Sequence, residues 1–226
     1  TETAATNSRI GDAVSLLCAC SQLTASCAAT KAPVMAAVRV PPSAWITSQS
    51  SEIVRSPSAF RSNTQRIERP IFVVGPPRSG TTIFHDLLVM DPDNRVPLTW
   101  ETARPLPPPE TATYRSDPRI AQAQADLDQV DKLLPQFKTM HPMGAERAQE
   151  CVTMTSHDFT SMIYFVQFFV PTYDRFVIES DMRSALKWHR RFLQVLQWKH
   201  PGKRWALKSP QHLWHLQHIH REYPDA

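Results

Sequence analysis

Glycine is scarce in this chain, and long hydrophobic runs are missing from it. The 226 residues include 5 glycines and 20 prolines, whereas average usage predicts about 16 glycines and about 11 prolines. The longest apolar runs, at 13–20 and 161–170, fall short of the ~20 residues that span a bilayer, which argues against a transmembrane helix. Because glycines are so few, we expect each one to serve a particular conformation or close approach.

The chain also lacks a dense basic block and a cysteine framework. Its formal net charge of +4 suits an anionic ligand, but the dispersed lysines and arginines argue against nucleic-acid binding. The 4 cysteines have neither the pattern of a disulfide scaffold nor the paired spacing of a zinc site. A hydrophobic fraction of 42% allows a sizeable core. We expect a soluble protein, with the cytoplasm favoured as its compartment.

The composition divides the chain into residues 1–69 and 70–226. The first segment is rich in Ala, Ser and Thr and shows little periodicity, which favours a flexible or partly helical extension. A targeting segment starting at Met35 and containing Arg39, Arg55 and Arg61 is the alternative. The second segment ends where an α/β pattern would enter another strand, so we expect a domain that is incomplete at its C-terminus.

An alternation of strands and helices begins at Pro70. The apolar run 71–74 predicts a buried parallel strand, and a helix follows from Gly80 until Asp91-Pro92 ends it. Further strands are predicted over 95–100 and 204–207, and further helices over 117–134, 145–153, 158–169, 183–199 and 211–223. We therefore expect an α/β fold, a P-loop-type parallel sheet flanked by helices, with a helical insertion before the third strand.

The turn between the first strand and its helix has the composition of a phosphate-binding loop. It reads Gly75-Pro76-Pro77-Arg78-Ser79-Gly80-Thr81-Thr82. A helix N-terminus offers unpaired N–H groups and the positive end of a dipole to an anion, and Arg78 adds a permanently charged fork. The spacing matches the nucleotide-triphosphatase loop Gly-x-x-x-x-Gly-Lys-Ser/Thr, except that Thr81 replaces the lysine.

Several later motifs accompany this loop in the chain. They are Asp91-Pro92, Trp100-Glu101-Thr102 and Lys208-Ser209-Pro210. Together with the loop, they resemble the sulfotransferases that use 3′-phosphoadenosine 5′-phosphosulfate (PAPS). The most similar branch includes the tyrosylprotein sulfotransferases and their bacterial relatives, and the resemblance extends from residue 69 to the end. It implies PAPS as the sulfuryl donor, no metal, and a small-molecule or peptide hydroxyl group as the acceptor.

The resemblance also implies individual roles. The residues that would hold the 5′-phosphosulfate are Pro77, Arg78, Ser79, Gly80, Thr81 and Thr82. Glu101 would be the general base, and Lys208 would lie beside the scissile bridge oxygen. Sulfuryl transfer needs both groups, because the acceptor must lose a proton and the leaving phosphate gains negative charge. The family's 3′-phosphate site lies beyond the next strand, after the last residue of this chain.

Two other functions stay open on the residues alone. A P-loop kinase or hydrolase would need an acidic residue to hold Mg²⁺ at a neighbouring strand end, where the third predicted strand instead ends in Lys208. A truncated, inactive nucleotide-binding protein is the second alternative.

Two further groups of polar residues are expected to be structural. Glu146, Glu150 and Cys151 lie on a short predicted helix and are expected to face the core of the insertion. Four histidines of the last predicted helix, at 212, 215, 218 and 220, spread around the helix axis and alternate with apolar residues. We expect them to be partly buried or solvated rather than bound to a metal.

Overall fold

A parallel three-stranded sheet lies at the centre of the computed structural model, which describes residues 53, 62 and 64–226. Its strands are β1 (Ile71–Val73), β2 (Asn94–Arg95) and β3 (Arg204–Lys208). The spatial order is β1-β3-β2, and β3 pairs with both neighbours in parallel. The predicted fold class, a parallel sheet flanked by helices, is confirmed.

Helices make up most of the remaining described structure. They are α1 (Thr81–Val89), α2 (Thr99–Ala103), α3 (Pro118–Leu133), α4 (Phe137–Met140), α5 (Val152–Thr155), α6 (Ile163–Gln167), α7 (Pro171–Glu179), α8 (Arg183–Gln197) and α9 (Leu216–Glu222). Short 3₁₀ turns cover Thr111–Thr113, Ser156–Asp158 and Pro210–Trp214. Within the described residues, no helix combines the length and the apolar character needed to cross a bilayer.

The start of α3 follows from its sequence. The Asp117 carboxylate accepts a hydrogen bond of 2.9 Å from the backbone N–H of Arg119, and Pro118 occupies the first helical position, where its missing N–H costs nothing. Arg119 in turn holds the pKa of Asp117 below its usual value, chiefly through their side-chain hydrogen bond. The predicted helix boundary is therefore confirmed at this end.

The second predicted strand, 95–100, is wrong in most of its length. Only Asn94–Arg95 pairs with β3, because Pro97 has no N–H with which to continue the ladder. The chain then turns into α2, whose first N–H groups bond to another segment: Thr99 donates to the Arg147 carbonyl and Trp100 donates to the Ala145 carbonyl.

Three predicted helices also differ from the structure. Residues 145–151 are not helical, because this segment runs beside 97–100 and forms an antiparallel bridge between Leu98 and Ala148. The predicted helix 158–169 is interrupted at Phe159, whose φ of 54° ends the preceding 3₁₀ turn. The predicted helix 211–223 divides at His215 into a 3₁₀ turn and α9.

The main hydrophobic core lies where α8, α9 and β3 pack together. Its largest members include Phe192, Trp205, Leu207 and Tyr223, all nearly or fully buried. Burial of each such side chain contributes about 1.5–3 kcal/mol. Ile53 and Ile67 belong to this core. Most of the 1–69 segment lies outside the described residues, and so do Met35, Arg39, Arg55 and Arg61 of the alternative targeting segment.

Candidate active site

The loop between β1 and α1 is built around the N-terminus of the helix. Gly80 is the residue before α1 and has a φ of 88°, and Arg78 has a φ of 66°. The first bond of the helix runs from the Phe84 N–H to the Gly80 carbonyl at 3.1 Å. The N–H groups of the first turn, before Phe84, have no acceptor within the helix, and Gly80 has no side chain with which to cap them. The helix therefore presents donors and a positive dipole end to an anion.

Gly75 and Gly80 serve this loop for different reasons. A Cβ atom on Gly75 would lie 2.9 Å from Cγ2 of Thr81 and 3.1 Å from Oγ of Ser79, so a larger residue there would have to displace these side chains. A Cβ atom on Gly80 would meet nothing within 4 Å, so glycine is favoured there by its positive φ. The Ser79 hydroxyl closes the turn by donating to the Pro76 carbonyl at 2.7 Å.

Lys208 lies against this loop. It is the last residue of β3, the central strand, and its side chain is 4% exposed. Its Nζ donates to Oγ1 of Thr82 at 3.0 Å and forms an ion pair of 2.5 Å with Oε1 of Glu150. The structure thus brings the predicted loop and the predicted lysine together at the carboxyl ends of neighbouring parallel strands.

Glu150 is a member of this group that the sequence did not reveal. It was expected to face the core of the insertion, and this expectation is wrong, because its carboxylate contacts Lys208 and its side chain is 16% exposed. The next residue, Cys151, donates its N–H to the Lys208 carbonyl at 2.9 Å, which fixes the segment beside β3. Glu146, on the same segment, is exposed, and nothing in the sequence distinguishes these two glutamates.

Glu101 is not at the end of a strand, and its hydrogen bonds run to Arg95 and Leu98 rather than to Lys208. It sits on α2 with its side chain fully buried. Its Oε1 accepts from Nη2 of Arg95 at 2.7 Å, and its Oε2 accepts from the Leu98 N–H at 2.9 Å. The guanidinium of Arg95 also lies 4.2 Å from the ring centre of Trp205. In this arrangement both oxygens of Glu101 are occupied, and its role as the general base stays a prediction.

Two histidines, His141 and His85, lie close enough to Lys208 and Glu150 for these charges to act on them. His141 is half-buried, and burial lowers its pKa; the charges of Glu150, Lys208, Arg147 and Arg78 also act on it. His85 of α1 is buried, its Nε2 lies 3.0 Å from the Ala206 carbonyl, and burial lowers its pKa as well. Both rings are therefore neutral near pH 7.

The histidines of the last predicted helix do not form a metal site. Of the four, His212 and His215 are buried. Burial lowers the pKa of His215 to about 4 and that of His212 well below its usual value. Across the described part of the chain, no group of three or more histidine, cysteine, aspartate or glutamate side chains is placed to hold a metal ion.

A cavity of about 490 Å³ borders the loop. It lies between β1 and the start of α1, and its lining includes Phe72, Val74, Gly75, Gly80 and Phe84. Lys208 is not among the residues that line this cavity, and the space beside the loop is larger than a phosphate group needs.

These features define an α/β domain with a loop of the P-loop type between β1 and α1. Residues 70–226 match the model of the sulfotransferase family, and the chain belongs to that family. A comparison with curated protein sequences finds no match.

Two solved sulfotransferase structures are similar to the chain. Sulfotransferase STF9 from Mycobacterium avium is 34% identical with a TM-score of 0.64, over 78% of this chain and 45% of that protein. Sulfotransferase STF1 from Mycobacterium tuberculosis H37Rv is 32% identical with a TM-score of 0.67, over 80% of this chain and 48% of that protein. The chain thus spans a little under half the length of these two structures.

Proposed function

We propose that the protein transfers a sulfuryl group from PAPS to the hydroxyl group of a small-molecule or peptide acceptor. Membership of the sulfotransferase family supports this reaction. The observation that carries the proposal is the contact of 3.0 Å between Lys208 and Thr82, which holds a cation against the phosphate loop. A donor with a phosphate group and an adjacent sulfate group suits such an arrangement.

The loop and Lys208 have complementary roles in the proposed reaction. The N–H groups at the start of α1 and the Arg78 guanidinium bind the phosphate end of the donor. Lys208 faces the oxygen that bridges phosphorus and sulfur. When the sulfur–oxygen bond breaks, its electron pair stays on that oxygen, and Lys208 stabilises the charge that develops there. The acceptor oxygen forms the new bond to sulfur.

A general base completes the reaction by removing the acceptor proton. The family resemblance assigns this role to Glu101, which would have to leave its ion pair with Arg95 in order to reach an acceptor. Glu150 lies beside Lys208 without such a rearrangement. The two carboxylates are therefore alternative candidates for the general base.

The donor assignment is tested by calorimetry on the full-length protein with adenosine 3′,5′-bisphosphate (PAP), the product of the reaction. We expect PAP to bind, and we expect Arg78→Ala to weaken binding by about tenfold or more, because a charge-assisted hydrogen bond contributes about 1.5–3 kcal/mol. Arg115→Ala, at an exposed arginine outside the loop, serves as the control. Absence of PAP binding, or tighter binding of ATP with Mg²⁺, would contradict the proposal.

A further inference from the structure

We propose that Glu150 is the general base of the reaction and that Glu101 is a structural residue. This inference rests on the proposed sulfuryl transfer and adds a catalytic residue to it. It begins from the contact between the Glu150 carboxylate and Lys208, the one residue outside the loop that the proposed mechanism places at the reacting bond.

The two carboxylates differ in their availability. Oε1 of Glu150 is held by Lys208, and its Oε2 has no hydrogen-bond partner among the residues that the structure describes. Glu101, in contrast, is 0% exposed and uses both oxygens, for Arg95 and for the Leu98 N–H. A general base must come within about 2.6–3.2 Å of the proton that it removes. Oε2 of Glu150 is free for such an approach, whereas neither oxygen of Glu101 is free in this arrangement.

Glu150 is also held in place from both sides. The Gln149 N–H donates to the Pro97 carbonyl at 2.7 Å, and the Cys151 N–H donates to the Lys208 carbonyl at 2.9 Å. These bonds tie the backbone of Glu150 to the β2–α2 connection on one side and to the end of β3 on the other. A catalytic side chain carried by such a fixed backbone keeps its geometry relative to Lys208.

The ion pair links the two halves of the reaction. Oε2 of Glu150 takes the proton of the acceptor hydroxyl, while a lone pair of the acceptor oxygen forms the bond to sulfur. The bond between sulfur and the bridging oxygen breaks, and its electrons remain on the phosphate of PAP. Protonation neutralises Glu150, so Lys208 loses its partner at the moment when the leaving phosphate needs a positive charge. Proton removal and leaving-group stabilisation are thereby coupled through one contact.

The test compares two acceptors in single-turnover experiments with PAPS. Phenol, whose hydroxyl pKa resembles the value of about 10 for tyrosine, requires a base; 4-nitrophenol, at a pH at which it is ionised, does not. We expect Glu150→Gln to lower the rate with phenol about 100-fold or more and to change the rate with 4-nitrophenol by only a few-fold. PAP binding should be retained or tightened, because a negative charge beside Lys208 is removed.

A matched variant and a third acceptor make the experiment decisive. Glu146→Gln makes the same change at an exposed glutamate of the same segment and should leave both rates unchanged. If the wild type sulfates neither phenol, conversion of PAPS to PAP with water as the acceptor replaces the phenol rate, and Glu150→Gln must slow it by a similar factor.

Several results would overturn the inference. An equal loss with both phenols would show that Glu150 only positions Lys208, and an unchanged rate would remove it from the mechanism. A selective loss in Glu101→Gln, or in His141→Asn, would assign the base to that residue instead. Failure of the wild type to bind PAP would contradict the proposed function and the inference that rests on it. Normal PAP binding together with any of the other results would contradict the inference alone.

Discussion

At the scale of single residues, the fold gives two glutamates of the same chemistry different environments. Glu101 is buried in an ion pair with Arg95, which itself lies over Trp205 and also donates to the Leu196 carbonyl at 3.0 Å. Glu150 is partly exposed and pairs with Lys208. A buried carboxylate with two occupied oxygens is suited to holding the β2–α2 connection, and a partly exposed one with a free oxygen is suited to exchanging a proton.

The structural role of Glu101 predicts a large effect on stability. We expect Glu101→Ala to lower the free energy of unfolding by about 3–5 kcal/mol, because the Arg95 charge would remain buried without its partner. The measurement is chemical denaturation followed by circular dichroism. The double variant Arg95→Met, Glu101→Leu should recover much of this loss, since it removes both charges. A loss below about 1 kcal/mol in Glu101→Ala would show that the pair does not stabilise the fold.

At the scale of elements, local patterns predict those segments that interact mainly with their own neighbours in sequence. The start of α3 follows from its cap, and α1 falls within its predicted bounds. Helix α8 was predicted nearly to its end because its apolar stripe matches one continuous buried face. The strand predicted over 95–100 failed because bonds from the 145–147 segment, distant in sequence, favour a helix at Thr99.

The packing of α8 against α9 buries histidines, which predicts sensitivity to acid. Burial lowers the pKa of His189 to about 3 and that of His215 to about 4, well below the unfolded value of about 6.5. Between the folded and unfolded pKa values, the unfolded chain therefore binds more protons than the folded chain. The free energy of unfolding contributed by these rings is therefore complete above about pH 6.5 and declines as the pH falls.

As the pH falls from 7 to 5, each of these two histidines should lower the free energy of unfolding by about 2 kcal/mol. Urea denaturation at several pH values measures the decline. His189→Gln removes one of the titrating rings. It should therefore reduce by about one the number of protons that the chain takes up on unfolding in this pH range. A stability that is flat over this range would mean that the histidines are not buried as neutral rings.

At the scale of the whole molecule, the site is assembled from three segments that are far apart in sequence. The loop at 75–82 and Lys208 were predictable, because parallel strands bring their carboxyl ends to one edge of the sheet. Glu150 was not, because it reaches that edge from the insertion, through backbone bonds to Pro97 and Lys208 that no periodicity encodes.

In the proposed reaction, the loop and Lys208 together hold the phosphate end of the sulfuryl donor. A crystal structure of the full-length protein with PAP tests it most directly. We expect the 5′-phosphate within hydrogen-bond distance of the N–H groups at the start of α1 and of Nζ of Lys208, with the Glu150 carboxylate beside it. A PAP molecule bound elsewhere, with its 5′-phosphate away from both the loop and Lys208, would contradict it.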